Sequence, residues 1–123
     1  MTQKKLLVVD DHDLSREMLS RRLRRKGFEI VTAVDGEDAV RTALEHEPDL
    51  VLMDLSMPGV DGWEAARWIR KNPSIAAVPI LALTAHELDG IEGAVRSGGF
   101  DGFERKPIDL PRLVEKIRGM LRG

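Results

Sequence analysis

The chain has 123 residues, 42% of them apolar and 33% charged, and 19 basic against 21 acidic side chains leave a formal charge of −2. That is the size of one domain with its own hydrophobic core, and the near-balance of charge gives no reason to look for nucleic acid or a membrane surface as partner. The lack of cysteine excludes disulfides and thiolate chemistry, the opening "MTQKKLLVVDD" is too short in apolar residues for a signal peptide, and no run approaches the ~18 apolar residues of a membrane span.

In chain order, the first predicted element is a buried strand, "LLVV", ending at Val9 and running straight into "DDHD". A helix follows with Leu14, Met18, Leu19 and Leu23 as its apolar stripe, and "RRLRRKG" supplies a basic C-terminus with Gly27 as stop. "EIVTA", ending at Ala33, is the second strand; a helix over Gly36 to His46 then turns Ala39, Val40, Ala43 and Leu44 inward, with Pro48 beyond it. The third strand, "LVLM", ends at Met53 before Asp54. Its helix starts near Gly62 and stops before Pro73, with Trp63, Ala66 and Ile69 inward and Trp68 about 140° from Trp63 on a 3.6-residue helix. "PILALT" ends the fourth strand at Thr84; the helix in "HELDGIEGAVRS" carries Gly90 and Gly93, each costing ~1 kcal/mol relative to Ala, and is the least stable of the set. "GFERK", ending at Lys106, is a weaker fifth strand with charge suited to an edge. "DLPRLVEKIRGML" is the last helix, with Asp109 as N-cap and Leu113, Val114, Ile117, Met120 and Leu121 inward.

Strand and helix thus alternate five times, and the strands lack the in/out alternation of a half-solvated sheet. Both features predict an α/β fold: a doubly wound parallel sheet with helices on both faces and right-handed crossovers, as one domain over residues 1–123 with no output domain in this chain.

Function in such folds gathers at the carboxyl ends of the strands. There the sequence delivers Asp10 and Asp11 after strand one, Asp54 after strand three, Thr84 after strand four, and Lys106 with Pro107 after strand five. Two carboxylates ~4 Å apart at an effective dielectric of ~20 repel by ~4 kcal/mol, so a fold that gathers them needs a compensating cation or tolerates them as solvated residues of a strand-to-helix turn. Hard oxygen ligands suit Mg²⁺. Asp54 then becomes a nucleophile towards phosphorus, with the metal and Lys106 neutralising charge on the phosphoryl oxygens and Thr84 donating to the product.

"VVDDHD", "LVLMDLSMPGVDG", "ILALTA" and "FERKPI", in this order and spacing, make the chain resemble a CheY-like response-regulator receiver domain over essentially its full length. The resemblance implies a flavodoxin-like (βα)5 fold with strand order 2-1-3-4-5 and a two-component phosphorelay function. It implies that Asp54 accepts the phosphoryl group from a histidine kinase or His-phosphotransfer protein. It further implies that Asp11 and Asp54 bind Mg²⁺ directly, Asp10 mainly through water, and Ser56 through its backbone carbonyl. Lys106 would pair with the phosphoryl group, the Lys106–Pro107 bond would be cis, and Phe103 would turn inward as Thr84 moves towards the phosphate. Ser56 and His86, each two residues beyond a site residue, would tune the lifetime of the phosphoryl group.

The same resemblance implies a cytoplasmic switch, monomeric or dimerising on phosphorylation, that signals to a protein target through the fourth helix, fifth strand and fifth helix. It would catalyse only its own phosphorylation and dephosphorylation. The basic residues Arg21, Arg22, Arg24, Arg25 and Lys26 read first as a solvated helix face, and secondly as a docking surface for an acidic patch on the phosphodonor. His12, His46 and His86 read as surface residues.

Other readings fit less well. A haloacid-dehalogenase-like phosphatase needs a second aspartate where Ser56 stands, and a flavodoxin-like nucleotide binder needs an anion-cradling loop where this one is acidic. A phosphorylation-independent pseudo-receiver does not need the complete set of acids, hydroxyl and lysine.

Overall fold

The computed structural model describes residues 3–55, 62–85 and 92–122. Its elements are β1 (Lys5–Val9), α1 (Asp13–Arg25), β2 (Glu29–Ala33), α2 (Gly36–His46), β3 (Leu50–Asp54), α3 (Gly62–Lys71), β4 (Ile80–Thr84), α4 (Glu92–Ser97), β5 (Gly102–Arg105) and α5 (Leu110–Arg122). The strands form one parallel sheet in the order β2-β1-β3-β4-β5. The α/β architecture and strand order expected from the sequence are those observed.

Strand residues are buried on alternate faces. Leu7, Val9, Val51, Met53, Ile80 and Ala82 join Ala39, Ala43, Ala65, Ala66, Ile69 and Val95 in one cluster, under α2, α3 and α4. Leu6, Val8, Leu50, Leu52, Leu81 and Leu83 join Leu23, Leu113, Val114 and Ile117 in the other, under α1 and α5. Burial on both faces is why the strands read as continuous apolar runs.

Local chemistry sets the helix ends. Asp35 caps α2 by accepting from the Asp38 amide at 2.8 Å, and Asp38 returns the bond by accepting from the Val34 amide at 3.0 Å. Asp109 accepts from the Arg112 amide at 3.3 Å, which bears out its reading as the cap of α5. Gly62 opens α3 because nothing larger fits: a Cβ there would stand 2.5 Å from the Asp54 carbonyl oxygen. That close approach seats α3 directly against the end of β3.

Three expectations need correction. Leu14 and Met18 were expected in the core, yet Leu14 is 70% exposed and Met18 43% exposed, because only the last turns of α1 lie flat on the sheet and bury Leu23 and Ser20. Leu44, assigned to the inner face of α2, is likewise exposed. β5 ends at Arg105 rather than Lys106, since the chain turns at the Lys106–Pro107 bond, which is cis. Gly90 and the start of the segment assigned to the fourth helix lie outside the described residues.

Ser20 is buried on α1, and its hydroxyl has no hydrogen-bond partner among the described residues. An unpaired buried hydroxyl costs ~1–3 kcal/mol, and alanine is the better helix former. Ser20→Ala is therefore expected to raise the unfolding free energy by about 1 kcal/mol, read as a higher urea midpoint at unchanged slope.

Candidate functional site

β1 hands its last pairing to Asp10, whose amide donates to the Ala33 carbonyl at 3.2 Å, so the following residues emerge at the carboxyl edge of the sheet. Asp10 is buried there. Its carboxylate accepts from the His12 amide at 2.9 Å, and its carbonyl accepts from Arg16 at 2.8 Å. Arg16 also pairs with Asp13 at 2.6 Å, which fixes the first turn of α1 relative to the acidic loop.

Asp54 ends β3 and is only 1% exposed. Lys106 donates from Nζ to its Oδ2 at 3.1 Å. The lysine is held in place from behind, its amide donating to the Thr84 carbonyl at 2.7 Å, while Thr84 itself is fully buried at the end of β4. Of the residues singled out in sequence, the structure therefore gathers Asp10, Asp11, Asp54, Thr84 and Lys106 at one edge. Ser56 and His86 lie outside the described residues.

Burial pushes the Asp10 carboxyl above the usual carboxylate range, opposed by the His12 amide and by Lys106, and assisted by the Asp54 charge and a side-chain hydrogen bond with Asp54. Asp10 and Asp54 are thus two buried acids that act on each other, with the Lys106 charge opposing the effect and paired to Asp54. Asp11 adds to this. Its Oδ1 is buried and accepts no hydrogen bond among the described residues, with only the ion-pair contact of His12 beside it. The imidazole of His12, 75% exposed as its surface assignment requires, stands over the pair with Nδ1 3.3 Å from Asp11 and 3.7 Å from Asp10. One ligand atom from each of Asp10, Asp11 and His12 falls within 4.8 Å of the others. A buried carboxylate oxygen that accepts no hydrogen bond among the described residues, beside a buried, repelling acid pair, fits a hard divalent cation.

Phe103 is half-buried against the α3 and α4 side of the core. Lys116 of α5 reaches round the open edge of the sheet to it, donating to the Phe103 carbonyl at 2.8 Å with its ammonium 5.3 Å from the ring centre. The same ammonium pairs with Glu104 at 2.9 Å, and Arg112 stands 3.3 Å from that carboxylate. Glu104 belongs to the charge read as suited to an edge strand; it is only 6% exposed, because α5 covers it and brings both cations. Parity along β5 carries the missed signal, since Glu104 alternates with Phe103 and so faces α5, where Arg112 and Lys116 lie four residues apart.

The model of the response regulator receiver domain matches residues 6–118. The chain belongs to that family. A polar-differentiation response regulator, DivK, of Brucella anthropi is 33% identical over 118 residues, 96% of either chain, and DivK of Brucella ovis is equally similar. Among solved structures, the chemotaxis protein CheY4 of Vibrio cholerae superposes with a TM-score of 0.91 at 28% identity, covering 97% of this chain and 99% of that one. The receiver domain of the sensor histidine kinase PA1611 from Pseudomonas aeruginosa, described with a magnesium ion coordinated in its active-site cleft, superposes with a TM-score of 0.90 at 30% identity, covering 99% of this chain and all of that one, 100%. This receiver is a signalling domain of the two-component class, and among its described residues no helix is long and apolar enough to cross a membrane.

Proposed function

We propose that this receiver accepts a phosphoryl group on Asp54 from the phosphohistidine of a histidine kinase or His-phosphotransfer protein, in a Mg²⁺-dependent reaction, and thereby changes what its α4-β5-α5 face binds. One observation carries the reading: the buried Asp54 carboxylate, paired with Lys106 at 3.1 Å, sits beside the buried Asp10 and the acidic loop of Asp11 at the carboxyl edge of the sheet.

In the transfer, an Asp54 carboxylate oxygen attacks phosphorus, the phosphorus–nitrogen bond of the donor breaks, and the electron pair leaves with the imidazole, which ends neutral. Lys106 exchanges its contact with Asp54 for one with the incoming phosphoryl oxygens, and the Thr84 hydroxyl donates to another. Asp10, Asp11 and Asp54, with the Ser56 carbonyl, would hold Mg²⁺, which supplies charge neutralisation at the phosphoryl oxygens. Water later hydrolyses the acyl phosphate, at a rate tuned by Ser56 and His86. The protein thus catalyses only its own modification and its reversal.

The exposed Leu14 and Met18 support a protein donor. Met18 lines a hollow of about 380 Å³ with Leu19, Pro107 and Ile108, which opens next to Asp10 and Lys106. An apolar rim beside the acceptor is what a docking partner buries. Output would run through a protein target in the cytoplasm, with the half-buried Phe103 reporting the state of Thr84 to α5. Dimerisation on phosphorylation would use the same face.

The test is intact mass after incubation with acetyl phosphate and Mg²⁺. The expected result is one added phosphoryl group, lost in Asp54→Asn and in chelator. An unmodified wild-type chain that also shows no spectral response to beryllofluoride would overturn this and leave a phosphorylation-independent binding module.

A further inference from the structure

At the end of the sheet opposite Asp54, the residues leading into β1, the turn between α1 and β2, and the last turns of α5 enclose two adjoining hollows of about 480 and 440 Å³. Lys26, Arg118 and Arg122 line both, and Lys4 lines the larger. We propose that this groove is a second interaction surface, which binds an acidic segment of a partner protein carrying an apolar anchor.

Several cations elsewhere in the receiver are used internally, although Arg22, Arg24, Arg25, Arg67, Lys71 and Arg96 are not within ion-pair distance of a carboxylate among the described residues. Lys5, Arg16, Arg41, Arg70, Lys106 and Lys116 all stand within ion-pair distance of a carboxylate. Lys4, Lys26, Arg118 and Arg122 have no such pairing among the described residues, and all four are exposed. The nearest acids do not cancel them: Glu29 pairs with Lys5 at 3.6 Å, and Glu115 lines only the smaller hollow.

Helix electrostatics explains part of this, because α1 and α5 both end here and cations favour helix C-termini. It does not explain the whole. Each helix end contributes a partial charge of about −0.5, so four full cations against Glu115 and two helix ends leave the groove positive by about two charges. Lys4 belongs to neither helix. A dipole is satisfied by cations pointing anywhere round the last turn, whereas these converge on one concavity.

The floor decides the kind of partner. Phe28 is buried beneath it and Leu121 is half-buried at its side. The Arg118 guanidinium lies 5.8 Å above the Phe28 ring and donates to the Lys26 carbonyl at 3.3 Å, so it is already ordered and keeps donors for an incoming carboxylate. A cationic rim over an apolar floor complements carboxylates flanking a leucine-like side chain. A polyphosphate backbone would use the rim and leave the floor empty.

Amide shifts of the labelled protein would be followed during titration with a short blocked peptide of Glu-Glu-Leu repeats, beside its Gln-Gln-Leu counterpart and a single-stranded oligonucleotide. Saturable shifts at Lys4, Gly27, Phe28 and Leu121 with the acidic peptide alone are expected, weakened about tenfold in Lys26→Glu/Arg122→Glu and by raised salt. Arg118→Gln, which removes one charge while keeping a polar side chain, should weaken binding less. The proposal is overturned if no shifts occur, if the Gln peptide or the oligonucleotide binds as well, or if shifts follow Arg21 and Arg25 along α1 instead. Asp54→Asn should bind the peptide like wild type, so failure here and failure of the phosphoacceptor reading are separable.

Discussion

Arg70→Ala is expected to lower the unfolding free energy by about 3 kcal/mol, the largest single-residue loss outside the apolar core. Arg70 lies in the last turn of α3 and binds two other segments at once, the α3–β4 and α4–β5 connections. Its Nε donates to the Gly99 carbonyl at 2.9 Å, one terminal nitrogen donates to the Ala76 and Val78 carbonyls at 2.8 and 2.6 Å, and the other pairs with Asp101 at 2.7 Å. The same Asp101 oxygen accepts from the Ile80 amide at 2.8 Å, at the start of β4. A half-exposed ion pair alone is worth at most ~1 kcal/mol. The carbonyls matter more, because each hydrogen bond to a charged group contributes ~1.5–3 kcal/mol net.

Arg70→Lys is expected to recover less than half of that loss, since one ammonium cannot reach four acceptors spread over a planar fork. Urea titration checks both variants. An alanine variant within about 0.5 kcal/mol of wild type would mean that water satisfies those carbonyls as well as the guanidinium does.

Arg70 also marks where sequence reading stops. The sheet was legible because burial on both faces writes itself as apolar runs, and the acids were legible because each follows such a run. Asp109 was legible as a cap because capping is local. A hub such as Arg70 joins partners 6, 8, 29 and 31 residues away, and no periodicity encodes that. Glu104 failed for a related reason. Its charge suggests solvent, but the two cations that bury it come from the next helix and become visible only when the parity of β5 is combined with the facing turn of α5. Leu14 and Met18 were misplaced by the opposite error, an apolar stripe taken as core where the helix start overhangs the sheet.

Asp10→Asn is expected to raise the stability of the metal-free protein at neutral pH while reducing what Mg²⁺ adds. In the wild type, burial and the neighbouring Asp54 hold the Asp10 carboxyl above its usual range. The folded state therefore binds that proton more tightly than the unfolded state does. The associated stability is fully present below the unfolded value of 3.8 and is lost as pH rises through the raised folded value. Asparagine still accepts from the His12 amide, carries no charge towards Asp54, and keeps Lys106 paired.

In chelator the variant's advantage should be greatest near neutral pH and shrink as pH falls towards 3.8, whereas with Mg²⁺ the order should reverse. A ligand at a hundredfold excess over its dissociation constant stabilises by about 2.7 kcal/mol, and the wild-type acid pair gains more of that than a site missing one charge. Equal metal-free stabilities at neutral pH would show that Lys106 and the His12 amide already offset the repulsion. The acids would then cost the fold nothing, and Asp11 alone would be left for a cation to complete.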